Sequence, residues 1–408
     1  MFEDKKKIVS EVKGVPLEHE FFVDDLHKMC ANEEELVLNG EVIDEMLSEL
    51  KLDAHPEKSG ILVFGRRREG LKEKIRQKPT TIQGFNLQFK ETETYLGMVF
   101  SELGASDSIS QTLEKRKYKC YTKAGELALK AEDDRLLSLG WLAVIKQLFN
   151  GIIVPTLTYG CAAFTGMNKQ HLKTLESIQR TCLISMLGVS YKTNYRALLY
   201  VLGIMPVVDV VKKLQIGFVN DLIHLKGKGI CLNTLRKDEE AGGIKGLLSE
   251  VREYCAQYGI SDVTREYVHP NEIRRKIVHS VMDNLWMEVT ENPAIPWTKR
   301  KTDLENPRFD QDAKVSAKLS LCWASGALNF KKSRRHEYLS KHGNLDCLTP
   351  GCCQVDSLEH VQLCYGYSER PKAGGNHEDW SDFLLRLERE RVRKFGPRYS
   401  LVNFKKVV

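Results

Sequence analysis

Nowhere among the 408 residues is there an apolar run approaching the roughly 18 uninterrupted side chains that a membrane-spanning helix needs. The longest apolar stretches, such as 151–154 and 205–211, are short and are cut by proline or charge. No membrane partner is expected. The first residues also lack an apolar core followed by a small-residue cleavage site, so no secretory leader is legible. No internal repeat marks a solenoid or propeller. Paired cysteine spacing is missing from most of the chain. Of 11 cysteines, Cys30, Cys120, Cys161, Cys182, Cys231, Cys255 and Cys322 stand singly, mostly in apolar helical contexts. They read as small buried hydrophobes. An odd count without a leader argues against a disulfide framework and for a reducing, intracellular compartment.

What is there is ordinary for a globular chain: 42% hydrophobic and 28% charged residues. The length accommodates two or three domains. Net charge is only +6, but its distribution is uneven. From Lys331 to the end, 15 Lys and Arg face 10 Asp and Glu, so the basic excess sits in the last fifth. Such a tail points to phosphate contacts, with a solvated surface as the plain alternative.

The pattern is α+β. Residues 1–105 alternate short strands with helix: a strand at His19–Val23, a helix over Asn32–Leu52, and a buried strand bracketed by Gly60 and Gly65. Two further strands are predicted at Thr81–Phe89 and Glu93–Val99. From about 107 the period becomes helical, over Ser108–Lys130, Leu136–Asn150, Lys169–Leu187, Asn194–Leu202 and Val207–Leu225. Residues 226–245 read as a loop, 245–290 as a second helical stretch, and 291–312 as a linker. A charged helix is predicted around Trp380–Lys394. The boundaries fall at 1–105, 106–230, 231–320 and 321–408.

Two constellations carry chemistry. The first is Phe22-Val23-Asp24-Asp25. Adjacent carboxylates at a strand end can hold Mg²⁺, a hard cation that prefers oxygen ligands. A polar turn with solvated carboxylates is the simpler reading of the tetrapeptide alone. The second is Cys347, Cys352, Cys353, His360 and Cys364, gathered within 18 residues. Counting Cys352, the spacing is Cys-x4-Cys-x7-His-x3-Cys. Three thiolates and an imidazole make a closed tetrahedral zinc site of the structural kind, with Cys353 as the alternate ligand. Pro350-Gly351 supplies the turn.

The order of several short motifs resembles the C-terminal part of a non-LTR retrotransposon reverse transcriptase, of the site-specific type with a restriction-like endonuclease. After the Asp pair and a helix comes Leu52-Asp53-Ala54-His55-Pro56-Glu57-Lys58-Ser59, then the strand ending in Phe64-Gly65, then Tyr95-Leu96-Gly97-Met98. These resemble motifs C, D and E of the palm. Farther on, Val154-Pro155-Thr156-Leu157-Thr158-Tyr159-Gly160 looks like the thumb signature of that family. Leu175-Glu176-Ser177-Ile178-Gln179-Arg180 and Leu202-Gly203-Ile204-Met205-Pro206 look like the segments that follow it. The zinc cluster resembles the family's Cys-Cys-His-Cys knuckle, with a longer first gap.

The resemblance implies a partial palm over 1–105, a helical thumb over 106–230, a helical linker region over 231–320, and a zinc knuckle with a basic helix over 321–408. It implies Mg²⁺ on Asp24 and Asp25, Zn²⁺ on the cysteine cluster, and a motif D role for Lys58 near the departing pyrophosphate. Tyr95, Leu96 and Gly97 would form the primer grip. Lys115, Arg116, Lys331, Lys332, Arg334 and Arg335 are candidates for contacts to an RNA template and a DNA primer or target DNA. A nuclear location follows from the family's target-primed integration. Asp379 and Asp382 read as helix-start residues, and no endonuclease site is legible. Motif C lies some twenty residues from Met1, which leaves no room for motif A with its third carboxylate, motif B or the fingers. The chain reads as a truncated element copy, a gene-model fragment or a domesticated remnant, with a missing N-terminal palm and fingers segment as a candidate partner. Alone, the chain is expected not to polymerise. The alternative is a non-enzymatic, zinc-dependent nucleic-acid-binding protein derived from such an element.

Overall fold

The computed structural model of the chain describes residues 10–12, 15–17, 20–22, 25–65, 68–130, 141–189, 191, 193–224 and 246–290, with isolated helical positions at 233, 235, 236, 387, 389 and 393. In chain order the elements are β1 (Ser10–Val12), β2 (Val15–Leu17), β3 (Glu20–Phe22), β4 (Asp25–His27), α1 (Glu33–Leu50), β5 (Gly60–Ile61), α2 (Arg68–Gln77), β6 (Thr81–Ile82), β7 (Phe85–Asn86), β8 (Gln88–Phe89), β9 (Thr92–Tyr95) and β10 (Met98–Ser101). There follow α3 (Ala105–Lys130), α4 (Trp141–Leu148), α5 (Val154–Thr158), α6 (Lys169–Leu187), α7 (Tyr195–Leu202), α8 (Val207–His224), α9 (Leu247–Gln257) and α10 (Pro270–Thr290). The fold is therefore α+β with helix predominating. No helix among the described residues is long and apolar enough to cross a membrane. The chain groups into two compact units: residues 1–115, 160–173 and 211–274, and residues 116–159, 174–210 and 275–408.

In the first unit α1 starts where the sequence marks it. The Asn32 side chain accepts from the Glu35 amide at 2.9 Å, and Glu35 reaches back to the Ala31 amide at 2.7 Å. Three glutamates occupy the first turn, where the helix dipole favours negative charge. Lys51 closes the helix in the left-handed region at φ 55°, with its amide and that of Leu52 returned to Ser48 and Leu47. Gly40 sits on the buried face of α1. A β-carbon there would lie 2.5 Å from the Thr80 methyl, so only glycine permits this approach to the segment entering β6.

Ile61, Val63 and Ile75 form a small core with Leu36, Leu71, Leu87 and Phe89 against it. Of the strand expected between Gly60 and Gly65, only Gly60–Ile61 pairs, in parallel with Gln88–Phe89. Helix α2 escaped sequence reading because its ten residues are mostly charged, with Leu71 and Ile75 alone marking a face. Its Lys72 makes an ion pair of 2.5 Å with Glu102, both side chains 11% exposed.

Two predicted strands are in fact hairpins. Within Thr81–Phe89 the chain reverses at Gln83 (φ 48°) and Gly84 (φ 81°), then forms β8. Within Glu93–Val99 it reverses at Leu96 (φ 47°) and Gly97 (φ 75°). Both are two-residue turns with left-handed residues, the geometry that matches strand twist. The glycines were visible in the sequence, but nothing marked Gln83 or Leu96 for positive φ.

The helical stretch expected over 245–290 is likewise broken. Between α9 and α10, residues 258–269 are non-helical, yet Ile260, Val263 and Val268 are buried. Helix α8 makes this possible. Its buried Asn220 donates to the Val268 carbonyl and accepts from the Val268 amide, each at 3.0 Å. His224 contacts the Val263 carbonyl at 2.9 Å. One side-chain amide and one imidazole thus satisfy backbone groups that no helix or sheet reaches.

In the second unit α4 passes through a π turn, Phe149–Ile153, into α5. The Val154 amide bonds the Phe149 carbonyl, one residue beyond the usual partner. Pro155 follows directly, and the widened turn relieves the crowding a proline ring imposes on the turn before it. Phe149, Ile153, Leu157, Leu175, Ile178, Leu183 and Leu187 are among the most buried side chains. Cys120 and Cys182 are fully buried, and burial pushes their thiols up to about 11 and about 12. They stay protonated at neutral pH, as small hydrophobes rather than nucleophiles or ligands.

Candidate nucleic-acid interface

The β9–β10 hairpin gathers several of the motif residues. Its register pairs Tyr95 with Met98 and Glu93 with Phe100. Strand alternation puts these four on one face and Thr94, Val99 and Ser101 on the other. Helix α3 holds the second face. Thr112 Oγ1 accepts from the Val99 amide at 2.9 Å, Ser108 Oγ accepts from the Ser101 amide at 2.9 Å, and Lys115 Nζ donates to Thr94 Oγ1 at 2.7 Å.

On the first face, the imidazole of His27 stacks on Tyr95 with ring centroids 4.7 Å apart and planes at 26°. It also lies 5.9 Å from Phe100. His27 ends β4, the strand that Asp25 begins, and β4 pairs antiparallel with β3 through Phe22↔Asp25. Asp24 lies outside the described residues. Met98 faces Gly160, the last residue of the candidate thumb signature. A β-carbon on Gly160 would meet Met98 Sδ at 2.7 Å. His27, two residues beyond the segment that resembles motif C, and Gly160, the last residue of the candidate thumb signature, thus both meet the hairpin that resembles motif E.

Lys58 stands in the turn at 56–58, exposed, with its amide donating to His55 at 3.1 Å. Its carbonyl accepts from Lys90, whose ammonium also pairs with Glu93 of β9. The loop carrying Lys58 is thereby joined to the hairpin. Gly60 makes room for this, because a β-carbon there would lie 2.7 Å from Lys90 Cε.

Tyr95 and Leu96 are half-buried and Gly97 is exposed. A leucine held at φ 47° carries a backbone cost of roughly 1–2 kcal/mol. Lys115 is exposed, as a phosphate contact requires. Arg116 is not. It is 5% exposed, donates to the Leu157 carbonyl at 3.2 Å, and lies 6.0 Å from the Tyr159 ring. That placement makes it a support for the Val154–Tyr159 segment and corrects its assignment as a surface cation. Lys119 is exposed beside it on α3, and Lys117 lies over the Tyr118 ring.

Lys331, Lys332, Arg334 and Arg335, and the zinc candidates Cys347, Cys352, Cys353, His360 and Cys364, lie outside the described residues. Among the described residues no group of three or more His, Cys, Asp and Glu is arranged to hold a metal.

A Ser–His contact in the first unit is not a nucleophile and its base. His171 Nδ1 accepts from the Asn168 amide at 3.2 Å. The ring proton therefore sits on Nε2, which donates to Ser110 Oγ at 3.0 Å. Ser110 Oγ in turn donates to the Ser106 carbonyl at 3.0 Å. A base would need an unprotonated nitrogen facing the hydroxyl, so the pair links α3 to the start of α6.

Two more of the motif segments meet in the second unit. Gln179 is fully buried, with Oε1 accepting from the Val207 amide at 2.8 Å and from Tyr195 Oη, and Nε2 donating to the Met205 carbonyl at 2.8 Å. Sequence reasoning named Gln179 without its role and passed over His27. Period-two alternation from Asp25 was the one available signal for the histidine.

No protein-family profile, curated protein or solved structure matches the chain.

Proposed function

We propose that the chain is the C-terminal portion of a reverse transcriptase of non-LTR retrotransposon type, and that it grips an RNA–DNA hybrid. One observation carries this reading: His27, two residues beyond the segment resembling motif C, and Gly160, the last residue of the candidate thumb signature, both meet the β9–β10 hairpin that resembles motif E, through Tyr95 and Met98. An ordered run of weak motifs gains weight when its members meet in space. In this reading β1–β10 and α1–α2 belong to the palm, α3–α8 to the thumb, and Lys115 and Lys119 face the nucleic-acid backbone. Asp24 and Asp25 would hold Mg²⁺, and Cys347, Cys352, His360 and Cys364 would hold Zn²⁺.

The test is binding of the purified chain to a labelled RNA–DNA hybrid across a salt series, with and without zinc chelation. Affinity that falls steeply with salt and falls again on chelation supports the reading. Absent or salt-insensitive binding overturns it. A second reading, a nucleic-acid-binding protein without catalysis, is favoured by the basic excess after Lys331. It predicts that Asp25→Asn leaves hybrid binding in Mg²⁺ unchanged.

A further inference from the structure

We infer that His27 is a positioning residue: its ring sets the place of Tyr95 relative to the strand that begins at Asp25. The inference rests on the reading of these segments as the metal-binding hairpin and the primer grip of a reverse transcriptase.

Strand β4 has three residues and pairs with β3 through three register positions. So short a two-stranded pair is marginal in water and needs tertiary anchorage. His27 supplies an anchor at the end of β4. Its ring lies against Tyr95 and Phe100, which share one face of the β9–β10 hairpin. The opposite face is fixed to α3 by Thr112, Ser108 and Lys115. The hairpin therefore has a rigid back, and β4 reaches its front through the imidazole.

Asp25 is two residues along from His27, about 7 Å at the rise of an extended strand. A slide of β4 that moves Asp25 along the strand axis also drags the imidazole across the Tyr95 ring. Tyr95 is the last residue before the strained Leu96–Gly97 turn, so its ring position governs how that turn is presented. An aromatic ring at position 27 thus couples the strand that begins at Asp25 to the turn. A small aliphatic side chain there would leave both ends in place but uncoupled.

The test uses the full chain with Mg²⁺ and two fluorescent RNA–DNA hybrids, one with a recessed DNA 3′ end and one blunt. The readout is the ratio of their affinities. Wild-type chain is expected to prefer the recessed end. His27→Ala is expected to reduce that preference roughly tenfold, with overall hybrid affinity largely kept. Tyr95→Leu should do the same, and the double variant should be no worse than either single one, because both remove one contact. His27→Phe should restore the preference. His27→Leu, with similar bulk and no aromatic face, controls for loss of packing, and should behave like His27→Ala.

A His27→Ala or His27→Leu chain that melts like wild type and keeps the wild-type ratio overturns the role of His27 alone. So does a His27→Phe chain that fails to restore it. Wild-type chain that binds neither hybrid overturns the reverse-transcriptase reading itself, and the positioning role with it. Equal binding of the two hybrids by wild type, with steep salt dependence, leaves the hybrid grip standing and overturns the positioning role.

Discussion

His27 and Tyr95 are 68 residues apart in sequence and stack at 4.7 Å. Neither ring belongs to a large core; both are half-buried at the edge of short strands. Aromatic stacking of this kind contributes about 0.5–1.5 kcal/mol beyond the area it covers. That is enough to bias a three-residue strand toward one register, so removing the ring should loosen the strand without unfolding it. In Tyr95→Leu, amide hydrogen exchange should therefore rise in residues 20–27 while remaining low in α3. Unchanged exchange at 20–27 would mean that the strand is held by something other than the stack.

Leu96 should be replaceable with gain. Asn tolerates the left-handed region far better than Leu, and Asn-Gly is a favoured pair for this turn. Leu96→Asn is expected to stabilise the first unit by about 1 kcal/mol, read as a higher midpoint in thermal unfolding. Hybrid binding is expected to weaken in the same variant, because the proposed function places Leu96 in the primer grip. A variant with lower stability would show that the leucine side chain packs better than the backbone suffers.

The sequence reached the larger elements and missed what side chains do to bend them. Helix α1 was legible to within two residues at either end, because Asn32, three glutamates and a 3.6-residue period all agree. The two hairpins were read as strands because their turns put Gln83 and Leu96 at positive φ, which neither residue advertises. The break between α9 and α10 was invisible because its cause, Asn220, lies on a different helix. For the candidate site, the motif residues were legible one by one, but their convergence depends on His27 and Met98, whose partners are tertiary. Arg116 looked like Lys115 in sequence. A single step along the helix separates an exposed cation from a buried one, and only packing decides which is which.

Gln179 is expected to be the least tolerant polar residue of the second unit. Replacing it with Leu keeps the volume but strands the Val207 amide, the Met205 carbonyl and the Tyr195 hydroxyl in a buried site. The loss should be roughly 2–4 kcal/mol, seen in the midpoint of urea unfolding. Tyr195→Phe removes one donor and strands less, so it should cost about 1 kcal/mol. The ordering of the two variants is the check: equal effects would mean that the Met205–Val207 junction does not depend on Gln179.

His171 gives the first unit a dependence on acid. Burial lowers its pKa below the usual 6.5, because the charged ring is disfavoured where it sits. Protonation would also place a proton on Nδ1, facing the Asn168 amide. The unfolded chain then takes up the proton first, so stability rises with pH through this range. The contribution is complete above pH 6.5 and is lost as pH falls toward the lowered folded value. Urea midpoints measured from about pH 7.5 to 5 should decline, and His171→Gln should flatten that decline. An equal slope in both proteins would place the acid sensitivity elsewhere.

Gly160 separates two costs that usually come together. Its φ of 66° strains any L side chain, and its would-be β-carbon also meets Met98 Sδ. Gly160→Ala should therefore cost the backbone term, roughly 1–2 kcal/mol, plus whatever displacement of Met98 requires. Adding Met98→Ala removes the obstacle but leaves the backbone strain. Relative to Met98→Ala alone, the glycine substitution should then cost only the backbone term. The difference between the two settings is the interaction of position 160 with Met98 of the hairpin, measured by a double-mutant cycle. A difference near zero would mean that Met98 swings aside freely. Gly160 and the hairpin would then be neighbours without being coupled, and hybrid binding should be indifferent to Met98→Ala.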